Sequence, residues 1–259
     1  SKNKTSGSLL VRCTIIIIFF ILWEEVAKNS DKISFYTSYP SELFSDLIVF
    51  ASSGDLAHNL AITLEEAYLG FFLGCGAGLI LGVLFSQFSF LGKVLVPIIT
   101  AIQGIPQLTL APLYILWFGV GLESKVFLSG LMVFFNVFFS TYDSIKNIDQ
   151  KLIESAVILG ARKIDVLTNV VIPYCMPWIL SGMRMGISAC MVGAIIGEYL
   201  GASGGLGWMV TYASSFFRIE RVMSTIIILM LIGLITNFVF AKIESYVLRW
   251  RAESNLSVE

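Results

Sequence analysis

Six stretches of this chain are too long and too apolar for its own polar residues to cover. They run roughly over 9–23, 62–86, 94–118, 125–142, 174–199 and 222–247, and a helix needs about twenty mostly apolar residues to cross a bilayer. The fourth is short, which predicts a tilted span or one partly covered by neighbours. Across the 259 residues only 14% are charged and 56% are hydrophobic, where soluble domains run nearer a quarter charged. Lipid is therefore the solvent for most of the chain. The expected fold class is an all-α integral membrane protein with six transmembrane helices.

The same composition excludes several functions. A net charge of −1 leaves no basic footprint for nucleic acid. Cys13, Cys75, Cys175 and Cys190 sit in or beside apolar runs at no metal-ligand spacing, so they read as small buried residues and no metal site is expected. The single histidine, His58, lies in a polar loop, which leaves almost no material for histidine-based catalysis. The opening "SKNKTSGSLLVRCTIIIIFFILW" has the basic-then-apolar order of a signal peptide. Trp23, Glu24 and Glu25 follow it instead of a small-residue cleavage site, so it reads as a retained first membrane helix.

Orientation follows from Lys and Arg. Lys2, Lys4, Arg12, Lys93, Lys146, Lys151, Arg162, Lys163, Lys242, Arg249 and Arg251 all fall on one side if six helices alternate, which predicts both termini in the cytoplasm. The opposite loops are poorer in base: 24–60 sets Lys28 and Lys32 against six acidic residues, and 119–124 holds none. Arg218 and Arg221 are the exception. The expected organisation is an N-terminal helix and external loop over 1–60, a core over 61–250, and a cytoplasmic tail over 251–259.

Inside the spans, Gly70, Gly74, Gly78 and Gly82 recur every fourth residue and so share one helix face, where a neighbouring backbone can come close. Gly182, Gly186, Gly193, Gly197 and Gly201 do similar work in the fifth span. The third span reads "PIITAIQGIPQLTLAPLYILWFG", with Pro97, Pro106 and Pro112 interrupting one helix. Broken backbone at membrane depth is tolerated where protein or a water-filled cavity covers it. Gln103 and Gln107 there, Asn136 in the fourth span and Glu198 at the outer end of the fifth are candidates to line a translocation pathway; for Glu198 simple solvation at the surface is the competing reading. Mid-span charges are otherwise nearly absent.

One segment is charged where its surroundings are not: "ESAVILGARKIDVLTNVVIP", residues 154–173. Ile153, Val157, Ile164, Leu167 and Val171 recur at helical intervals with charges mainly between them. Gly160 predicts two short helices joined by a bend, and Pro173 predicts a stop before the fifth span. An amphipathic pair on the cytoplasmic side can lie on the bilayer or dock in a partner's groove; its mixed charge signs favour a partner.

These residues resemble a known signature. Glu-Ala-Ala, three residues, Gly, nine residues, Ile, one residue, Leu-Pro marks the permease subunits of bacterial ABC importers, and here it stands as Glu154-Ser155-Ala156, Gly160, Val170 and Ile172-Pro173 with every spacing kept. "TLEEAYLGFFLGCGAGLILG", "QGIPQLTLAPLYILWFGVG" and "GEYLGASGGLGWMV" resemble the nitrate, sulfonate and taurine branch. One departure bears on cargo: Glu66 stands where that branch commonly has arginine.

The resemblance implies a type I ABC importer permease fold in a bacterial plasma (inner) membrane, with 150–173 as the coupling segment. It implies two permease subunits (a second copy or a paralogue), cytoplasmic ATPase subunits that bind the ATP, and a periplasmic or lipid-anchored solute-binding protein. Glu154, Ser155, Ala156, Gly160, Val170, Ile172 and Pro173 would meet the ATPase, Gly160 allowing the bend and Pro173 setting the angle into the fifth span. The chain itself would carry no cofactor and no catalytic site, since it has no Gly-x-x-x-x-Gly-Lys-Ser/Thr loop. Cargo would be a small solute: a sulfonate, taurine, nitrate, or a vitamin precursor such as a pyrimidine or flavin. The alternative is an ion-coupled secondary transporter working without an ATPase, which predicts inverted repeats and paired mid-membrane charges. An intramembrane enzyme ranks last.

Overall fold

The computed structural model describes residues 2–250, with only the backbone described at 2–10, 12, 13 and 31. The expected tail 251–259 and the side chains of Lys2, Lys4, Arg12 and Cys13 therefore lie outside the described residues. In chain order the helices are α1 (Lys2–Lys28), α2 (Asp31–Thr37), α3 (Pro40–Ser52), α4 (Asp55–Gln87), α5 (Ser89–Gln103), α6 (Gln107–Phe118), α7 (Leu122–Lys146), α8 (Gln150–Ile158) and α9 (Lys163–Val166). A π-helical turn, Leu167–Val171, leads into α10 (Ile172–Gly201), followed by α11 (Leu206–Ser215) and α12 (Ile219–Val247).

Among the described residues four helical runs are long and apolar enough to cross a membrane: α4, α7, the continuous Lys163–Gly201 rod and α12. The expected span 9–23 lies on α1, whose first side chains are outside the described residues. The expected third span is not one helix. It divides into α5 and α6, bent by 99°, and the pair counts as a fifth crossing only if taken together. The break falls at 104–106, where Pro106 has no N–H and pushes the preceding Ile105 out of helical geometry. Pro97 and Pro112 stay inside their helices. The fourth span is longer than its apolar run: α7 has 25 residues, and its polar start, Ser124 and Lys125, is buried rather than in a loop.

α7 is the central helix, held between α4 and α10. A Cβ placed on Gly70 would stand 2.6 Å from Ser129 Cβ and 2.8 Å from the Gly130 nitrogen, and one on Gly193 would stand 2.6 Å from Ser129 Cα. Both neighbours therefore pack backbone to backbone on α7. Gly74, Gly78 and Gly82 continue the α4 contact along Gly130, Val137 and Thr141. At the crossing the Ser129 hydroxyl donates to the Cys190 carbonyl at 3.0 Å, an interhelical bond of the kind worth about 0.6 kcal/mol in lipid. Ala67, Cys75, Val133, Val137, Met191 and Ala194 fill the space around it. The outward faces stay apolar and uncovered, as on Ile15–Leu22 and at Leu234, Ile235 and Phe238, which suits a lipid surround rather than water.

Charged side chains are less rare in the spans than their windows suggest. Lys125 Nζ lies 2.7 Å from Glu66 Oε1, joining α7 to α4, and Arg184 on α10 lies 3.4 Å from Glu244 on α12. A further buried pair fastens α3 to α12: Arg221 Nε donates to both Asp46 oxygens at 2.8 and 3.0 Å and Nη2 donates to Oδ1 at 2.9 Å. The Phe50 ring lies 4.2 Å from that guanidinium. Glu24 at the end of α1 accepts from Ser41 N at 3.0 Å and Ser41 Oγ at 2.6 Å, placing a carboxylate on the exposed N–H groups that open α3.

Candidate functional site

The charged segment forms an arm at one end of the bundle. Asp149 caps α8, its side chain accepting from Lys151 N at 3.0 Å. α8 ends in a Schellman motif: Ala161 N donates to Ala156 O at 3.1 Å and Gly160 N to Val157 O at 2.9 Å. That geometry requires a left-handed residue, and Gly160 has φ +86°. Asp165 then accepts from Arg162 N at 3.2 Å to start α9.

One side of the arm is anchored. Ile153, Ala156, Ala161 and Leu167 pack on Ile145, Val166, Val171, Cys175 and Ile179, joining the arm to α7 and α10. The other side is open. Glu154 and Ser155 are exposed, and at the tip Ile158 and Leu159 are 84% and 87% exposed. Sequence reasoning passed over these two, reading them as spacers between Ala156 and Gly160. Val170, Ile172 and Pro173 are half-buried farther along.

Pro173 does not stop the helix as expected. It falls in the first turn of α10, where its missing N–H costs least. The π turn just before it widens the backbone at the residues a proline ring would crowd. α9, the π turn and α10 thus form one rod of 39 residues.

The four expected pathway residues stand in different surroundings. Gln103 and Gln107 flank the α5–α6 break. Gln103 is exposed, while Gln107 accepts from the Tyr114 hydroxyl at 3.2 Å and donates to Ile105 O at 3.1 Å. Asn136 is half-buried and donates to Met132 O of its own helix at 2.9 Å. Glu198 is 1% exposed, so the surface solvation considered for it does not occur. Its Oε1 accepts from Thr63 Oγ1 at 2.6 Å and its Oε2 from Gly207 N at 2.5 Å. Thr63 Oγ1 also accepts from Leu206 N at 2.8 Å, and Asn59 Oδ1 accepts from Gly205 N at 2.8 Å. Glu198 with α4 thereby ties down the 202–207 turn at the end of the bundle opposite the arm. The Glu66–Lys125 pair lies beside it.

Comparison with known proteins identifies the family. Residues 74–249 match the model of the binding-protein-dependent transport system inner membrane component. A protein of Bacillus subtilis, provisionally assigned as an aliphatic sulfonates transport permease, is 34% identical over 208 residues, 80% of this chain and 74% of that one. A formylaminopyrimidine transport permease of Halalkalibacterium halodurans is 29% identical over 253 residues, 96% of this chain and 98% of that one. Among solved structures, inward-facing conformations of the MetNI methionine ABC transporter share the fold, with a TM-score of 0.63, 19% identity and coverage of 72% of this chain and 93% of that one. The chain belongs to the binding-protein-dependent transport system inner membrane component family, the permeases of ABC transport systems, and is a transport subunit rather than an enzyme.

Proposed function

We propose that this chain forms the translocation pathway of an ATP-driven importer, both termini on the cytoplasmic side, working with a separate ATPase, a second permease subunit and an external solute-binding protein. The observation that carries this reading is the arm tip. Ile158 and Leu159 stand almost fully exposed beside Gly160, on an arm whose other face is packed. Burying two such side chains is worth about 1.5–3 kcal/mol each, enough to seat the tip in a cleft of an ATPase. Glu154 accepts hydrogen bonds from the ATPase surface and Ser155 lies on the same exposed side, while Ala156, on the packed side, lets the arm sit close against the bundle. Val170, Ile172 and Pro173 connect the arm to the span.

Movement of the tip passes to the membrane through the rod. At about 1.5 Å per residue, its 39 residues carry a displacement roughly 58 Å, to the Glu198 turn. Gln103, Gln107 and Asn136 face the solute along the way. Cargo is a small solute: a sulfonate, taurine, a pyrimidine vitamin precursor or a flavin, the range that relatives' names span, or nitrate.

Reconstitution tests the proposal. Uptake into liposomes should require ATP, the ATPase and the binding protein, and a cysteine at 158 should crosslink to the ATPase. I158D/L159D should abolish ATPase association while the permease stays inserted. Uptake by the permease alone would instead support the ion-coupled alternative.

A further inference from the structure

The end cluster opposite the arm contains a feature that the transport reading does not use. Two acids and one base meet there out of contact with water: Glu66 on α4 is 2% exposed, Glu198 on α10 is 1% and Lys125 on α7 is 7%. Lys125 bonds to Glu66 Oε1 at 2.7 Å. Glu66 Oε2 is buried with no donor, and Glu198 reaches the same stretch of α4, bonded at 2.6 Å to Thr63 one helical turn before Glu66. Two carboxylates are both acceptors and cannot bond to one another unless one carries a proton.

Charge counting leads to the same place. Lys125 neutralises one carboxylate, which leaves one uncompensated negative charge in a sealed site, a cost of several kcal/mol. Glu65 on α4 and Tyr199 on α10 adjoin the two acids along their helices, and neither supplies a positive charge. The stem of Lys125 occupies the space that a Cβ on Gly197 would need, 2.8 Å from Lys125 Cγ, so the base is built into the site.

We propose that Glu66 and Glu198 form a proton-binding site, holding one proton between their carboxyl groups while Lys125 balances the remaining charge. The proton gives Glu66 Oε2 its missing donor and makes the cluster neutral. Because Glu198 also accepts from Thr63 and from Gly207 N, the proton resides where the 202–207 turn is fastened to α4. Opening that turn to water would expose the pair and let the proton exchange.

Infrared spectroscopy of the full-length protein in nanodiscs at neutral pH tests this. The wild type should show one protonated-carboxyl C=O band, shifted in D2O only as slowly as the sealed cluster opens. E66Q and E198Q should each remove it. K125M, which leaves two acids without a base, should roughly double its area. Absence of the band in the wild type, a measurement that needs no variant to fold, would overturn the proposal, as would a band that persists in both E66Q and E198Q. Stabilisation by sodium but not by choline, with no band, would also overturn it and would assign the site to a metal cation.

Discussion

Replacing Gly193 with alanine tests the packing that organises the bundle. The new Cβ would lie 2.6 Å from Ser129 Cα and 2.9 Å from the Ser129 nitrogen. Carbon–carbon contact is comfortable at about 3.5–4.0 Å, so α7 and α10 must part by about 1 Å at their crossing. Overpacking of this kind costs about 1–3 kcal/mol. Separation also stretches the 3.0 Å bond from Ser129 to the Cys190 carbonyl, at a cost of about 0.6 kcal/mol, whereas alanine's better helix propensity returns about 0.5–1 kcal/mol. The net loss is about 1–3 kcal/mol, or a fall in Tm of about 2–10 °C for a chain of this size. Gly76 is the control, since a Cβ there meets nothing within 4 Å, and G76A should leave Tm unchanged or raise it. Thermal unfolding in detergent, followed by fluorescence-detected size exclusion, reads both. Because the obstruction is backbone, adding S129G should not rescue G193A. Equal Tm values for G193A and G76A would refute the close approach of α7 and α10.

Other substitutions probe the remaining elements. D46N leaves Arg221 buried without its bidentate partner and should cost about 3–5 kcal/mol; the apolar pair D46L/R221M should recover most of the lost Tm. T63V removes both the donor to Glu198 and the acceptor of Leu206 N, so protease should cut the 202–207 turn faster, with T63S behaving like wild type. G160A meets no neighbour but must adopt φ +86°, a strain of about 1–2 kcal/mol. Limited proteolysis should find the arm loosened while the Tm of the bundle holds, and reconstituted uptake should fall. Larger residues at 160 should abolish uptake with insertion intact.

Much of the architecture was legible because lipid imposes it. The apolar runs under α4, α7, α10 and α12 follow directly from the need to fill a bilayer, and a signature with every spacing kept pointed to the family. The errors came where a local rule met a tertiary exception. Three prolines in the third span look alike in sequence, but only Pro106 breaks the chain, while Pro97 and Pro112 stay inside their helices. Pro173 reads as a stop by the same rule, yet it falls in a first turn that tolerates proline. Ser124 falls in the expected 119–124 loop and Lys125 at the very edge of the fourth span, where a charge reads as solvated. They are buried because Gly197 leaves room for the lysine stem and Glu66, 59 residues away, supplies the counter-charge. The Asp46–Arg221 pair spans 175 residues. No local pattern pairs such residues, since each alone reads as an ordinary charge near a helix end.

The rod formed by α9, the π turn and α10 connects these observations. Irregular backbone is fastened at both of its ends: Arg162 N donates to Asp165 at one, and Gly207 N of the 202–207 turn donates to Glu198 at the other. Between them it rests on α7 through glycines at 182, 186, 193 and 197, where a side chain would collide with Ser140, Val133, Ser129 and Lys125. Contacts of that kind are short-ranged and steeply repulsive, so α7 and α10 resist sliding independently and move as a unit. Within the rod, the π turn Leu167–Val171 is where regular α-helical bonding lapses, and compliance concentrates there. On the proposed coupling, a force applied at Ile158 and Leu159 would meet the π turn first and then the stiff α7–α10 packing that leads to Glu198. The proposed coupling therefore requires the exposed arm, the stiff core and the buried charge cluster at the far end to respond together, with the π turn as their one soft joint.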